Sequence, residues 1–126
     1  MFDCDAFDEE RLTDLLWNYG LVRPRYISDA IGEYKKYLLL CRLHGELYCP
    51  AVIEEVWKMH ITDTQKYMQF CDAYFGYYLH RDPVEHEKTK EPQRTQELYE
   101  KAFKEKPTIH WYHPHALLHS VRWQFK

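Results

Sequence analysis

Glycine is scarce in this chain of 126 residues: it occurs only four times, and each of the four stands alone. Isolated glycines exclude the glycine-rich loops that cradle phosphates, and they leave no flexible linker between two domains. The sequence therefore predicts a single domain over residues 1–126, a length that can close one core without disulfides.

An excess of basic residues, paired cysteines and long apolar runs are also missing. The net charge is −3, which argues against nucleic-acid binding. The four cysteines form no CxxC pair, and the acidic first residues do not resemble a signal peptide, so we expect reduced thiols in an intracellular, cytoplasmic protein. No apolar run is long enough to span a bilayer, which predicts no membrane association.

Aromatic residues, in contrast, make up 17% of the chain, with eleven tyrosines. One helical face is predicted to include Tyr67, Phe70, Cys71, Tyr74 and Phe75, and another to include Leu98, Ala102 and Phe103. No segment alternates with a period of two residues. The sequence therefore predicts an all-α fold, a compact bundle of about five to six short helices with an aromatic-rich C-terminal tail.

Four blocks follow one another in an informative order. They are EYKKYLLL from residue 33, CPAVIEEVW from residue 49, HITDTQKYMQFCDAYFGYYLH from residue 60 and TQELYEKAFKEKPTIHW from residue 95. Together they cover about residues 30–111 and resemble the glycine-rich domain-containing-protein-like family in its compact bacterial form. The resemblance implies an all-helical fold and no particular reaction. The long plant members carry glycine-rich and RNA-binding-like regions, and this chain contains nothing similar.

Two positions depart from the family pattern, which has paired histidines at each of them. This chain keeps His60 but has Lys58 in place of its partner, and it keeps His80 but has Arg81 beside it. A metal ligand must offer a lone pair, whereas lysine and arginine offer only hydrogen-bond donors and a positive charge. The resemblance therefore implies that any metal or proton-transfer site of the family has lost part of its side chains here.

Glu54, His60, Cys71 and His80 are nevertheless candidate metal ligands, because a Cys/His/His/Glu set could fill the tetrahedral sphere of zinc. Glu54 and His60 are six residues apart, so a helix break near His60 would have to bring them together. The alternative is that Cys71 is a small core residue and that the histidines are satisfied by hydrogen bonds. The ligand spacing favours this alternative.

The C-terminal tail carries a second group of candidates. His115 and His119 are four residues apart, which on a helix places two imidazoles on one face, as in many zinc sites, although the His-Glu-x-x-His order of a hydrolase is missing. Residues 112–126 form a predicted docking tail, since a short tail buries little of its own aromatic surface. The predicted partner-binding residues are Trp111, Tyr112, Trp123 and Phe125.

Three functions remain open. The first is a small soluble helical protein that acts as a structural or adaptor component, through a protein partner or self-association, with no cofactor and no catalytic residue. The second is a metal-binding protein or metal-dependent enzyme that uses Glu54, His60, Cys71 and His80 with zinc or another divalent metal. The third is an RNA-associated protein, suggested by the short stretches VRWQFK and YKKY. The replaced histidines and the aromatic tail favour the first, and no small-molecule substrate follows from the sequence.

Overall fold

The computed structural model describes residues 2–81 and 91–107, and in these residues the predicted all-α fold is confirmed. The helices are α1 (Glu9–Tyr19), α2 (Ile27–His44), α3 (Ala51–Thr62), α4 (Thr64–Tyr74) and α5 (Pro92–Phe103), and a 3-10 turn (Pro24–Tyr26) precedes α2. None of the described helices combines the length and the apolar character that crossing a membrane requires.

The ends of the helices follow local sequence signals. The Asp8 carboxylate accepts a hydrogen bond from the backbone N–H of Arg11 at 3.1 Å and so caps the start of α1. Gly45 directly follows α2 with φ of 84°, and Gly76 follows α4 with φ of 80°. These left-handed conformations suit glycine, because a side chain would be strained there. Both glycines therefore let the chain turn away at the end of a helix.

Helix α2 lies at the centre of the fold. It packs against α1, α3 and α5, while α3 also packs against α1 and α4. Because α2 has neighbours on several sides, its buried residues are not confined to one narrow stripe. They are Ile27, Ala30, Ile31, Glu33, Tyr34, Tyr37, Leu38, Leu40 and Cys41.

Four tyrosines are fully buried in this core, and each hydroxyl group has a hydrogen-bond partner. Tyr37 donates to the carbonyl of Leu47 at 2.7 Å, and Tyr67 donates to the carbonyl of Leu79 at 2.6 Å. Tyr34 and Tyr99 bond to side chains of other helices. A buried hydroxyl without a partner destabilises a fold. The paired hydroxyls therefore allow a small domain to enclose so many tyrosines.

Helix α5 is held to α2 by a polar cluster. The Tyr99 hydroxyl donates to Glu33 at 2.8 Å, and the Lys36 ammonium lies 3.2 Å from Glu33 and 2.9 Å from Glu105. The Lys36 ammonium also lies over the Tyr99 ring, 5.3 Å from its centroid. The predicted inward face of this helix was wrong at Ala102, which is exposed, whereas Tyr99 is fully buried.

Candidate functional site

His60, in the last turn of α3, is enclosed by aromatic rings and only 5% exposed. The rings of Phe7, Tyr34, Tyr67 and Phe70 lie 4.9 to 5.6 Å from the imidazole, centroid to centroid. They come from the N-terminal segment, α2 and α4, so three parts of the chain meet around one histidine. Its Nδ1 shares a hydrogen bond of 2.6 Å with the hydroxyl of Tyr34.

Burial determines the charge state of this pair. Loss of solvation lowers the pKa of His60 to about 4, although the negative charge of Asp63 opposes the shift. Burial also raises the pKa of Tyr34 well above its usual value. Both side chains are therefore neutral near pH 7.

The opening beside the imidazole is very small. Its volume is about 10 Å³, which is about the space of one water molecule. The residues around it are Asp8, Leu12, Leu15, His60, Asp63 and Lys66. An opening of this size admits no organic substrate to His60, so the Tyr34–His60 pair acts as a hydrogen bond within the core.

The structure uses the four candidate metal ligands in different ways. Glu54 lies 3.3 Å from the guanidinium of Arg81, His60 bonds to the core, and His80 is exposed. Cys71 is buried, and burial raises the pKa of its thiol, which disfavours the thiolate that metals bind. In residues 2–81 and 91–107, no three histidine, cysteine, aspartate or glutamate side chains gather as a metal site would require. For His60 and Cys71, the structure agrees with the alternative interpretation as core residues.

Lys58 and Arg81 form ion pairs with carboxylates of α3. Lys58 lies 2.7 Å from the carboxylate of Glu55, which is only 6% exposed, and Arg81 lies 3.3 Å from Glu54. A buried carboxylate without a nearby positive charge is strongly unfavourable. Lys58 thus neutralises an acidic side chain, and Arg81 connects the segment after α4 to α3.

The candidates of the tail lie outside the described residues. They are the histidine pair, His115 and His119, and the predicted partner-binding residues Trp111, Tyr112, Trp123 and Phe125. Their assignment stays a prediction from the sequence.

An open groove lies beside α4, with a volume of about 380 Å³. It is lined by Met68, Gln69, Cys71, Asp72, Tyr77 and Tyr78. Three of these side chains are large, apolar over most of their surface and exposed: Met68 by 59%, Tyr77 by 51% and Tyr78 by 39%. Since most large apolar side chains of the described residues are buried, this surface is available for contact.

Two features of the sequence create the groove. Gly76 takes a left-handed conformation, and the chain after it brings Tyr77 and Tyr78 to the same groove as α4. The Tyr78 ring packs edge-on against the buried ring of Tyr67 at 5.2 Å, which holds it in place. Met68 is the residue of this groove that sequence reasoning missed. The available signal was a methionine on the otherwise polar side of an amphipathic helix.

Comparison of the chain with known protein families, with curated proteins and with solved structures gave no match. Function is therefore inferred from the arrangement of the side chains.

Proposed function

We propose that this protein acts through contacts with another protein, as a structural or adaptor component, and that the groove beside α4 is its contact surface. The observation that supports the proposal is the exposure of Met68, Tyr77 and Tyr78 around one concave surface. Tyrosine and methionine are enriched where proteins meet, and methionine adapts its shape to different partners. Together they favour a binding surface over a catalytic one.

The ionisable side chains in the candidate metal set support the same proposal. Catalysis by His60 or Cys71 needs access to a substrate, yet both side chains are buried and bonded within the fold. The Glu54 carboxylate pairs with Arg81. These groups contribute to stability, whereas the groove gathers three exposed, largely apolar side chains around one concave surface.

The lining of the groove indicates the chemistry of a partner. The methionine and tyrosine side chains suit an aromatic or aliphatic side chain, and burying such a side chain contributes about 1.5–3 kcal/mol. Asp72 is exposed at the groove and, among the described residues that line it, is the one with a formal negative charge. A partner segment with apolar anchors next to lysine or arginine therefore fits best.

We also propose that the chain belongs to the glycine-rich domain-containing-protein-like family and works in the cytoplasm. The order of the four sequence blocks supports the family. The location is supported by the cysteines, since none of the four stands in a CxxC pair and reduced thiols are typical of the cytoplasm.

Site-specific photo-cross-linking in the native cells tests the contact function. A benzophenone amino acid replaces Met68 in the full chain, and the same probe at Tyr19, an exposed tyrosine of α1, serves as the matched control. We expect a discrete protein adduct from position 68 that position 19 does not give. Replacing Tyr77 and Tyr78 by serine should reduce the yield several-fold. Equal adducts from both positions, or no protein adduct from position 68, would contradict the proposed function.

A further inference from the structure

We propose that the groove beside α4 is the docking site of the chain's own C-terminal segment, residues 121–126 (VRWQFK), which competes there with a protein partner. The inference rests on the proposed function, because it takes the same groove as the contact surface and assigns its regulation.

The segment has the chemistry that the groove requires. In an extended chain, successive side chains point to opposite sides, so Trp123 and Phe125 share one side. Two rings on one side match a surface made of methionine and tyrosine side chains. Arg122 and Lys126 flank the rings, and their long side chains can reach sideways toward the carboxylate of Asp72. The segment therefore matches the groove both in its apolar side chains and in its charge.

The length of the chain allows this docking. Pro107 is the last residue that the structure describes, and fifteen residues separate it from Trp123. At roughly 3.3 Å per residue, an extended chain of that length spans about 50 Å. A compact domain of about 100 residues has a radius of gyration near 13 Å. Any surface of the domain is therefore within reach of the segment.

The connection within one chain favours the segment over a second copy. A tethered ligand acts at an effective concentration in the range of about 1 mM, whatever the concentration of the protein. Two aromatic anchors and an exposed ion pair make a weak contact, since exposed ion pairs contribute only about 0–1 kcal/mol. A contact of this strength forms within one molecule at protein concentrations that are too low for it to join two molecules. A partner must then displace the segment, which raises the affinity that it needs.

The test uses the purified full chain with the benzophenone probe at position 68. After irradiation, proteolysis and mass spectrometry, we expect an adduct between position 68 and the peptide of residues 123–126, in material with the mass of one chain. Replacing Trp123 and Phe125 by serine should lower its yield at least tenfold, and Asp72→Lys should lower it about threefold. In cells, the same double serine variant should capture several-fold more partner from position 68.

The outcomes separate this inference from the contact function. The inference is overturned if position 68 gives no adduct with residues 121–126, or if the control probe at Tyr19 gives the same yield. An adduct with the mass of two chains overturns docking within one molecule but agrees with contact between proteins. Capture of another protein in cells without the intramolecular adduct likewise overturns docking within one molecule and agrees with contact between proteins. Circular dichroism of each variant confirms that the helices are intact.

Discussion

Lowering the pH from about 7.5 to about 5.5 is expected to destabilise the folded protein through His60. Burial lowers the pKa of this imidazole in the folded state to about 4, from its usual 6.5, which we take for the unfolded state. Below pH 6.5 the unfolded chain therefore binds a proton at this position before the folded protein does. Stability from this group is fully present above pH 6.5 and falls as the pH decreases toward 4.

The size of the effect follows from the two pKa values. A shift of one pKa unit corresponds to about 1.4 kcal/mol, so the complete loss below pH 4 amounts to about 3 kcal/mol. Between pH 7.5 and 5.5 only part of this range is crossed, and the expected loss is about 1 kcal/mol. The Nδ1 of His60 lies 2.6 Å from the Tyr34 hydroxyl, and a protonated imidazole can only donate to this hydroxyl, whereas the neutral ring can also accept from it.

Urea denaturation at several pH values measures this loss, and His60→Gln isolates it. Glutamine keeps an acceptor for the Tyr34 hydroxyl but does not titrate. The variant should be less stable at pH 7.5, yet its free energy of unfolding should fall by about 1 kcal/mol less on going to pH 5.5. His44→Gln, at an exposed position of α2, is the matched control and should keep the pH dependence of the wild-type protein.

The comparison removes the contribution of the carboxylates, because all three proteins carry the same ones. If the wild-type protein and His60→Gln lose the same free energy between pH 7.5 and 5.5, then His60 is not held neutral by burial. The enclosed aromatic environment would then be the wrong explanation for its role.

Three further substitutions test the packing and the backbone. Tyr67→Phe should lower the free energy of unfolding by about 2 kcal/mol in urea denaturation, because the indole N–H of Trp57 and the carbonyl of Leu79 each lose a buried partner. Gly32→Ala should raise the melting temperature, with a gain of about 0.5–1 kcal/mol, since Gly32 lies inside α2 and an added Cβ meets nothing within 4 Å. Gly45→Ala should lower the melting temperature, with a loss of about 1 kcal/mol in the free energy of unfolding, because a φ of 84° strains any residue with a Cβ. Effects of the same sign for the two alanine variants would contradict this reasoning.

Much of the helical framework could be predicted from the sequence. Local residues account for the ends of three helices: Asp8 caps the start of α1, and Gly45 and Gly76 turn the chain after α2 and α4. The inward face of α4 followed from its spacing: Tyr67 and Phe70 are fully buried. These features are local, because a helix end or an amphipathic face depends on residues within a few positions of one another.

The inward face of α5 could not be predicted in the same way. Sequence reasoning placed Ala102 inside and overlooked Tyr99, which is fully buried. A tyrosine is stable in a core only if its hydroxyl finds a partner, and here the partner is Glu33, on a different helix. The residues near Tyr99 in the sequence do not predict its contact with Glu33.

The candidate site shows the same limit. The sequence supplied Glu54 and His60 as ligand types, but the fold pairs one with Arg81 and the other with Tyr34. The spacing of α4 places Met68 on the polar side of the helix, but only the fold brings it to one groove with two tyrosines.

By itself, then, the sequence determined that residues 2–81 and 91–107 fold into helices and that aromatic side chains dominate their packing. Only the tertiary structure decided which polar groups are paired in the core and which side chains form the groove. The physical reason is distance along the chain. The partners Tyr34 and His60 are 26 residues apart, and Tyr99 and Glu33 are 66 apart. Periodicity and capping act over single helical turns, whereas such pairs exist only after separate helices have packed together.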